Sequence, residues 1–168
     1  RVSVVHNGII ENFEALRLEL EAAGQVFSTD TDSETIAQLV DYHLQRGLSP
    51  REAAHECLKR LEGAYALAMI FAGHDGMVIG ARHGAPLVVG FGDNEMFFGS
   101  DSLALAPLTR RIAYLDDGDW AVITPQGAEF FDMAGNPVER PVRLTALIAA
   151  AVGKDGYRHY MEKELHEH

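Results

Sequence analysis

The chain has 168 residues, with 14 Lys+Arg against 25 Asp+Glu and a single cysteine. That length fits one domain with a real hydrophobic core, and a composition 47% hydrophobic and 23% charged is that of a folded protein rather than a disordered one. The net charge of -11 argues against nucleic acid or an anionic membrane as the main partner, and one cysteine excludes a disulfide framework or a CxxC centre.

The longest clean apolar run, Ala146 to Val152, is far too short to span a bilayer, and no signal peptide is visible, so a cytoplasmic setting is expected. The first residue is Arg1 and it leads straight into Val2-Ser3-Val4-Val5, which suggests a piece of a longer protein.

In chain order, Val2 to Val5 is short and β-branched and predicts a strand, ended by a tight turn at His6-Asn7-Gly8. Phe13, Leu16, Leu20 and Ala23 recur at helical spacing, with Gly24 as the stop. A second helix follows Thr31-Asp32-Ser33-Glu34, where Thr31 and Glu34 fit a capping box, and its stripe is Ile36, Leu39, Val40, His43 and Leu44. A third starts at Ser49-Pro50-Arg51-Glu52, a capping box with proline in the first turn; its stripe is Ala54, Cys57, Leu58 and Leu61.

After Gly63 the period becomes extended. Strands are predicted at Tyr65 to Phe71, Met77 to Ala81, Leu87 to Gly90, Glu95 to Phe98, Ile112 to Leu115, Trp120 to Thr124 and Glu129 to Met133. Hairpin-like turns are expected at Asp117-Gly118 and Gln126-Gly127, and a short helical turn at Ser102 to Ala106. One strand, three helices, then many antiparallel strands describe an α+β fold with helices layered on a sheet.

Several residues invite chemistry, each against a plainer reading. Cys57 is the one thiol, but it lies on the apolar stripe of a helix, where a small buried hydrophobe is expected rather than a nucleophile. The eight histidines are scattered, without HExxH or Cys/His spacing, so no metal or other cofactor is called for. Gly99-Ser100-Asp101-Ser102 could present helix-terminal amides to an anion, but it lacks the lysine of a phosphate loop and reads as an ordinary turn.

An Asn amide and a neighbouring Gly N–H, as in Asn7-Gly8, can converge on one developing negative charge; Asn-Gly is also a common turn. Asp32, in the first turn of a helix, where the dipole favours negative charge, could hold an ammonium; it could equally be a capping acid beside Asp30 and Glu34. On the residues alone the plainer readings stand.

Taken together, Val4-Val5-His6-Asn7-Gly8-Ile9-Ile10-Glu11-Asn12 and Thr31-Asp32-Ser33-Glu34-Thr35-Ile36-Ala37 resemble the glutaminase domain of class II glutamine amidotransferases. Within that superfamily the resemblance is greatest to the glutamine–fructose-6-phosphate aminotransferase (isomerising) family. It is supported by Gly63 to Ala66, Arg82 to Gly90, Ser100 to Leu105 and Thr109-Arg110-Arg111, and by a tail, Tyr157 to Glu164, similar to the hinge before a sugar-isomerase domain.

The resemblance implies a four-layer αββα sandwich of the N-terminal-nucleophile hydrolase type, and hydrolysis of glutamine to release ammonia for amination of fructose 6-phosphate. It implies oxyanion-hole roles for Asn7 (side-chain amide) and Gly8 (backbone N–H), and binding of the glutamine α-ammonium by Asp32. The family's nucleophile is an N-terminal cysteine, whereas position 1 is Arg1. The expectation is therefore residues 1–150 as part of a glutaminase domain lacking its N-terminal strands, and 151–168 as the start of the hinge. The isolated chain is expected to be inactive and prone to self-association. Its partners would be glutamine, the rest of the same domain, a downstream isomerase domain and further copies in a homo-oligomer. Two alternatives remain: a class II amidotransferase with a phosphoribosyl or amino-acid acceptor, and a non-catalytic binding module on the same scaffold.

Overall fold

The structure is a computed structural model and describes residues 2–145. β1 (Val2–Ile10) leads into three helices, α1 (Phe13–Ala22), α2 (Asp32–Gln45) and α3 (Pro50–Leu58). α2 and α3 begin where the caps predict. The Thr31 hydroxyl accepts from the Glu34 N–H at 3.2 Å, opening α2. At α3 the box is reciprocal: the Glu52 N–H donates to Ser49 Oγ at 3.2 Å, and the Ser49 N–H donates to Glu52 Oε1 at 2.9 Å. α1 is followed by Gly24 in the left-handed region, φ +98°.

The rest is antiparallel: β2 (Gly63–Phe71), β3 (Val78–His83), β4 (Val88–Phe91), β5 (Met96–Gly99), the four-residue α4 (Ser102–Leu105), β6 (Arg111–Tyr114), β7 (Trp120–Thr124), β8 (Gly127–Phe131), β9 (Pro137–Val138) and β10 (Arg143–Leu144). They form a six-stranded sheet, β1-β2-β3-β7-β8-β9, and a four-stranded sheet, β10-β6-β4-β5. β1 and β2 pair along their whole length, from Val2 opposite Phe71 to Ile10 opposite Gly63.

Period-2 alternation on β2 explains the layering. Leu67, Met69 and Phe71 join the helical residues Leu16, Leu20, Ile36, Leu39, Val40 and Cys57 in one core. Ala66 and Ala68 face the other way, into a second core with Val89, Phe98, Ala113, Leu115 and Ile123 between the two sheets. Because both faces are covered, β2 reads as a continuous apolar run. The sheets approach closely: a Cβ at Gly80 would lie 2.5 Å from the Phe98 ring. On the far face of the smaller sheet, Val88 and Ile112 pack under Leu105 of α4. The order of layers is helices, sheet, sheet, helix, and α4 is the whole of the outer helical layer among the described residues.

Four local expectations change. His6-Asn7-Gly8 does not end a strand; the ladder to β2 continues through Ile10 because β2 offers nine residues of partner, and Gly8 absorbs the distortion at φ +99°. Asp117-Gly118 is not a hairpin turn, since it joins β6 in one sheet to β7 in the other. The buried Asp119 anchors that crossing through two hydrogen bonds from Arg140, Nε to Oδ2 at 2.6 Å and Nη2 to Oδ1 at 3.0 Å. β8 begins at Gly127 rather than Glu129, because Gly127 already pairs with Thr124 across the turn. Finally, the Thr31–Glu34 box closes on one side only, as described below. The hinge expected from 151 onward lies outside the described residues.

Candidate functional site

The candidate residues lie on two elements, β1 and the first turn of α2, which packs on it. The link is His6. Its ring is nearly buried, with a side-chain relative exposure of 9%, and it reaches from the strand to the helix terminus. His6 Nδ1 is 2.7 Å from Ser33 Oγ, and Nε2 is 3.1 Å from Asp32 Oδ2. A carboxylate only accepts, so Nε2 carries the hydrogen toward Asp32, and in the neutral ring Nδ1 accepts from the Ser33 hydroxyl.

Asp32 is therefore held within one side chain's reach of the Asn7-Gly8 step. Its carboxylate is 27% exposed and starts a helix, where the peptide dipole favours negative charge. One oxygen is tied to His6; among the described residues the other, Oδ1, accepts no hydrogen bond. Asn7 and Gly8 are both exposed, and the Asn7 side-chain amide makes no hydrogen bond among the described residues. Gly8 cannot carry a side chain: a Cβ there would meet the Ala64 carbonyl oxygen at 2.1 Å.

The loop before α2 is fixed by Glu34. Instead of returning to the Thr31 N–H, its carboxylate accepts from the Ser28 N–H at 2.8 Å, and from the Thr29 N–H and hydroxyl, each at 2.6 Å. Partial burial works to raise the Glu34 pKa, but these hydrogen bonds outweigh it and hold the group at about 2. A cleft of about 320 Å³ opens between this loop and the outer end of β1, lined by Val2, Ser3, Val4, Ser28, Thr29 and Ser33 among others.

The remaining candidates are structural. Cys57 is fully buried and burial pushes its thiol far up, away from the thiolate a nucleophile needs. Asp101 caps α4 by accepting from the Ala104 N–H at 2.8 Å, so the turn at Gly99-Ser100 serves a short helix. Among the described residues no three His, Cys, Asp or Glu side chains gather as a metal site. His159, His166 and His168 lie outside the described residues. Sequence reasoning missed His6 and Ser33 as members of this site. The signal was available only through the pairing of β1 with α2, which no local spacing reveals.

Comparison with known proteins gives the family. The family model of the glutamine amidotransferase domain matches residues 1–107, which contain β1, all three long helices and both halves of the site. A glutamine–fructose-6-phosphate aminotransferase (isomerizing) of Gluconobacter oxydans is 65% identical over 168 residues, covering 100% of this chain and 28% of that protein. The protein of the same name from Brucella abortus is 53% identical over 167 residues, covering 99% of this chain and 28% of that protein. Among solved structures, the glutamine phosphoribosylpyrophosphate amidotransferase of B. subtilis, complexed with ADP and GMP, superposes with a TM-score of 0.66 at 25% identity over 81% of this chain and 30% of its own. The chain thus spans under a third of the length of these relatives. It belongs to the glutamine amidotransferase domain family, with the α+β layering of N-terminal-nucleophile amidotransferases.

Proposed function

We propose that this chain forms the glutamine-binding part of a glutamine–fructose-6-phosphate aminotransferase, and that its site presents glutamine for hydrolysis. The carrying observation is the His6 bridge, which ties a half-open carboxylate, Asp32, to the residue that directly precedes the exposed Asn7-Gly8 step. Glutamine has an ammonium at one end and an amide carbonyl at the other, and these two features match its ends.

In this reading Asp32 holds the α-ammonium. The Asn7 amide and the Gly8 N–H receive the negative charge that develops on the side-chain carbonyl oxygen as a nucleophile attacks. The nucleophile is not Cys57, which the core encloses. The chemistry therefore needs a group from beyond these residues, and the 168-residue chain alone is expected to release no ammonia from glutamine. Residues 1–150 are assigned to the glutaminase part and 151–168 to a connection toward the sugar-phosphate part, within a cytoplasmic homo-oligomer. The 65% identity to a fructose-6-phosphate enzyme, against 25% to a phosphoribosyl one, favours the sugar-phosphate acceptor. Among the described residues no helix is long and apolar enough to cross a membrane.

The test is kinetic, in a full-length protein carrying this chain. Asn7→Ala is expected to lower kcat for ammonia release by roughly 10²–10³-fold, the usual loss for one oxyanion donor. Asp32→Asn is expected chiefly to raise KM for glutamine. An unchanged KM in Asp32→Asn contradicts the ammonium role, and an unchanged kcat in Asn7→Ala contradicts the oxyanion role.

A further inference from the structure

We propose that His6 is a positioning residue: its Nε2–H fixes the Asp32 carboxylate so that Oδ1 faces the α-ammonium of bound glutamine. This inference rests on the reading of Asp32 as the ammonium site. Three observations carry it. The ring is enclosed, with 9% side-chain exposure, so it is not itself available to substrate. Both ring nitrogens are engaged, Nδ1 by Ser33 Oγ at 2.7 Å and Nε2 by Asp32 Oδ2 at 3.1 Å. Lastly, Asp32 has no other side-chain hydrogen-bonding partner among the described residues, so there His6 is the group that orients it.

The hydrogen-bond inventory makes the chain directional. The Asp32 carboxylate only accepts, so Nε2 donates to it, and in the neutral ring Nδ1 is left to accept from the Ser33 hydroxyl. This arrangement leaves the second oxygen of Asp32, Oδ1, without a hydrogen bond among the described residues, the position an ammonium would take. Serine at position 33 thus acts at one remove, by holding the ring at its other nitrogen. β1 supplies the ring from a strand held along nine residues to β2, and α2 supplies both partners from adjacent positions in its first turn, so neither side can drift independently.

The experiment uses a full-length protein carrying this chain, with KM and kcat for glutamine and the inhibition constant for 4-carbamoylbutanoate, which is glutamine without its α-amino group. His6→Ala is expected to raise KM for glutamine by about tenfold, the scale of one hydrogen bond to a charged group, with kcat changed far less. Inhibition by 4-carbamoylbutanoate should stay unchanged, because it has no ammonium for Asp32 to hold. His6→Gln, which keeps a donor, should recover most of the KM. Ser33→Ala, which removes the tether on Nδ1 and lets the ring turn, should raise KM a few-fold and provides the test if His6→Ala does not fold. Combined with Asp32→Asn, His6→Ala should add little. An equal loss for glutamine and 4-carbamoylbutanoate, or a KM unmoved in His6→Ala while Asp32→Asn raises it, overturns the proposal and leaves the ammonium reading intact. A KM unmoved in Asp32→Asn overturns both.

Discussion

A Cβ placed on Gly8 would lie 2.1 Å from the Ala64 carbonyl oxygen and 2.9 Å from Tyr65 Cα, on a backbone with φ +99°. A short distance along the same pair of strands, a Cβ on Gly63 would lie 2.2 Å from the Ile9 carbonyl oxygen. Both positions demand close backbone approach and a left-handed conformation, which L side chains occupy at a cost. Gly8→Ala is expected to destabilise the fold by roughly 2–4 kcal/mol, strain and overpacking together. Denaturant unfolding measures this, and an unaltered midpoint would show that the strand accommodates a methyl group. The Asn-Gly pair was visible in the sequence as a special backbone position, but its setting was not. A two-residue turn signal carries no information about a partner strand some 57 residues away, at Tyr65, and that partner decides the conformation. The His6 bridge to Asp32 was hidden for the same reason, its ends being 26 positions apart in sequence.

At the scale of elements, the start of α2 carries the most function. Thr31 opens the helix, Asp32 faces the site, and Glu34 ties down the preceding loop through Ser28 and Thr29. The Glu34 pKa is held at about 2, below its ordinary 4.5, by those hydrogen bonds acting against partial burial. A depressed carboxylate contributes stability that is present above pH 4.5 and disappears as pH falls through about 2. Acid unfolding should therefore have a component in that window that is absent in Glu34→Gln, which should be less stable near neutrality and less sensitive to acid. Identical acid limbs for the two proteins, followed by circular dichroism, would contradict this role.

The helices were legible in outline because their caps are local: Ser49, Pro50 and Glu52 act within one turn. Only half of the Thr31–Glu34 box could be read. The Glu34 carboxylate had a choice between the Thr31 N–H and two amides upstream, and the fold of the loop resolved it.

For the whole molecule, the longer strands were legible, but the two-residue β9 and β10, in the weakly patterned stretch from Asn136 to Thr145, and the assignment of strands to sheets were not. Alternation marks a strand, but it does not say that β6 and β7 belong to different sheets or that Arg140 reaches back to Asp119. Among the described residues, nine-residue β1 lies at the border of the larger sheet with β2 as its one partner, and Ile9 is 68% exposed. A long strand with an open side pairs readily with another chain. The isolated 168-residue chain is expected to self-associate at high concentration, and light scattering showing a persistent monomer would contradict it.

The account rests centrally on glutamine lying between Asp32 and Asn7-Gly8, and its most direct test is a crystal structure of a full-length protein carrying this chain with the product L-glutamate bound. It predicts the α-ammonium at hydrogen-bonding distance from Asp32 Oδ1, with Oδ2 still on His6, and a side-chain carboxylate oxygen at the Asn7 amide and the Gly8 N–H. Glutamate bound elsewhere, or with its α-ammonium turned away from Asp32, would contradict it.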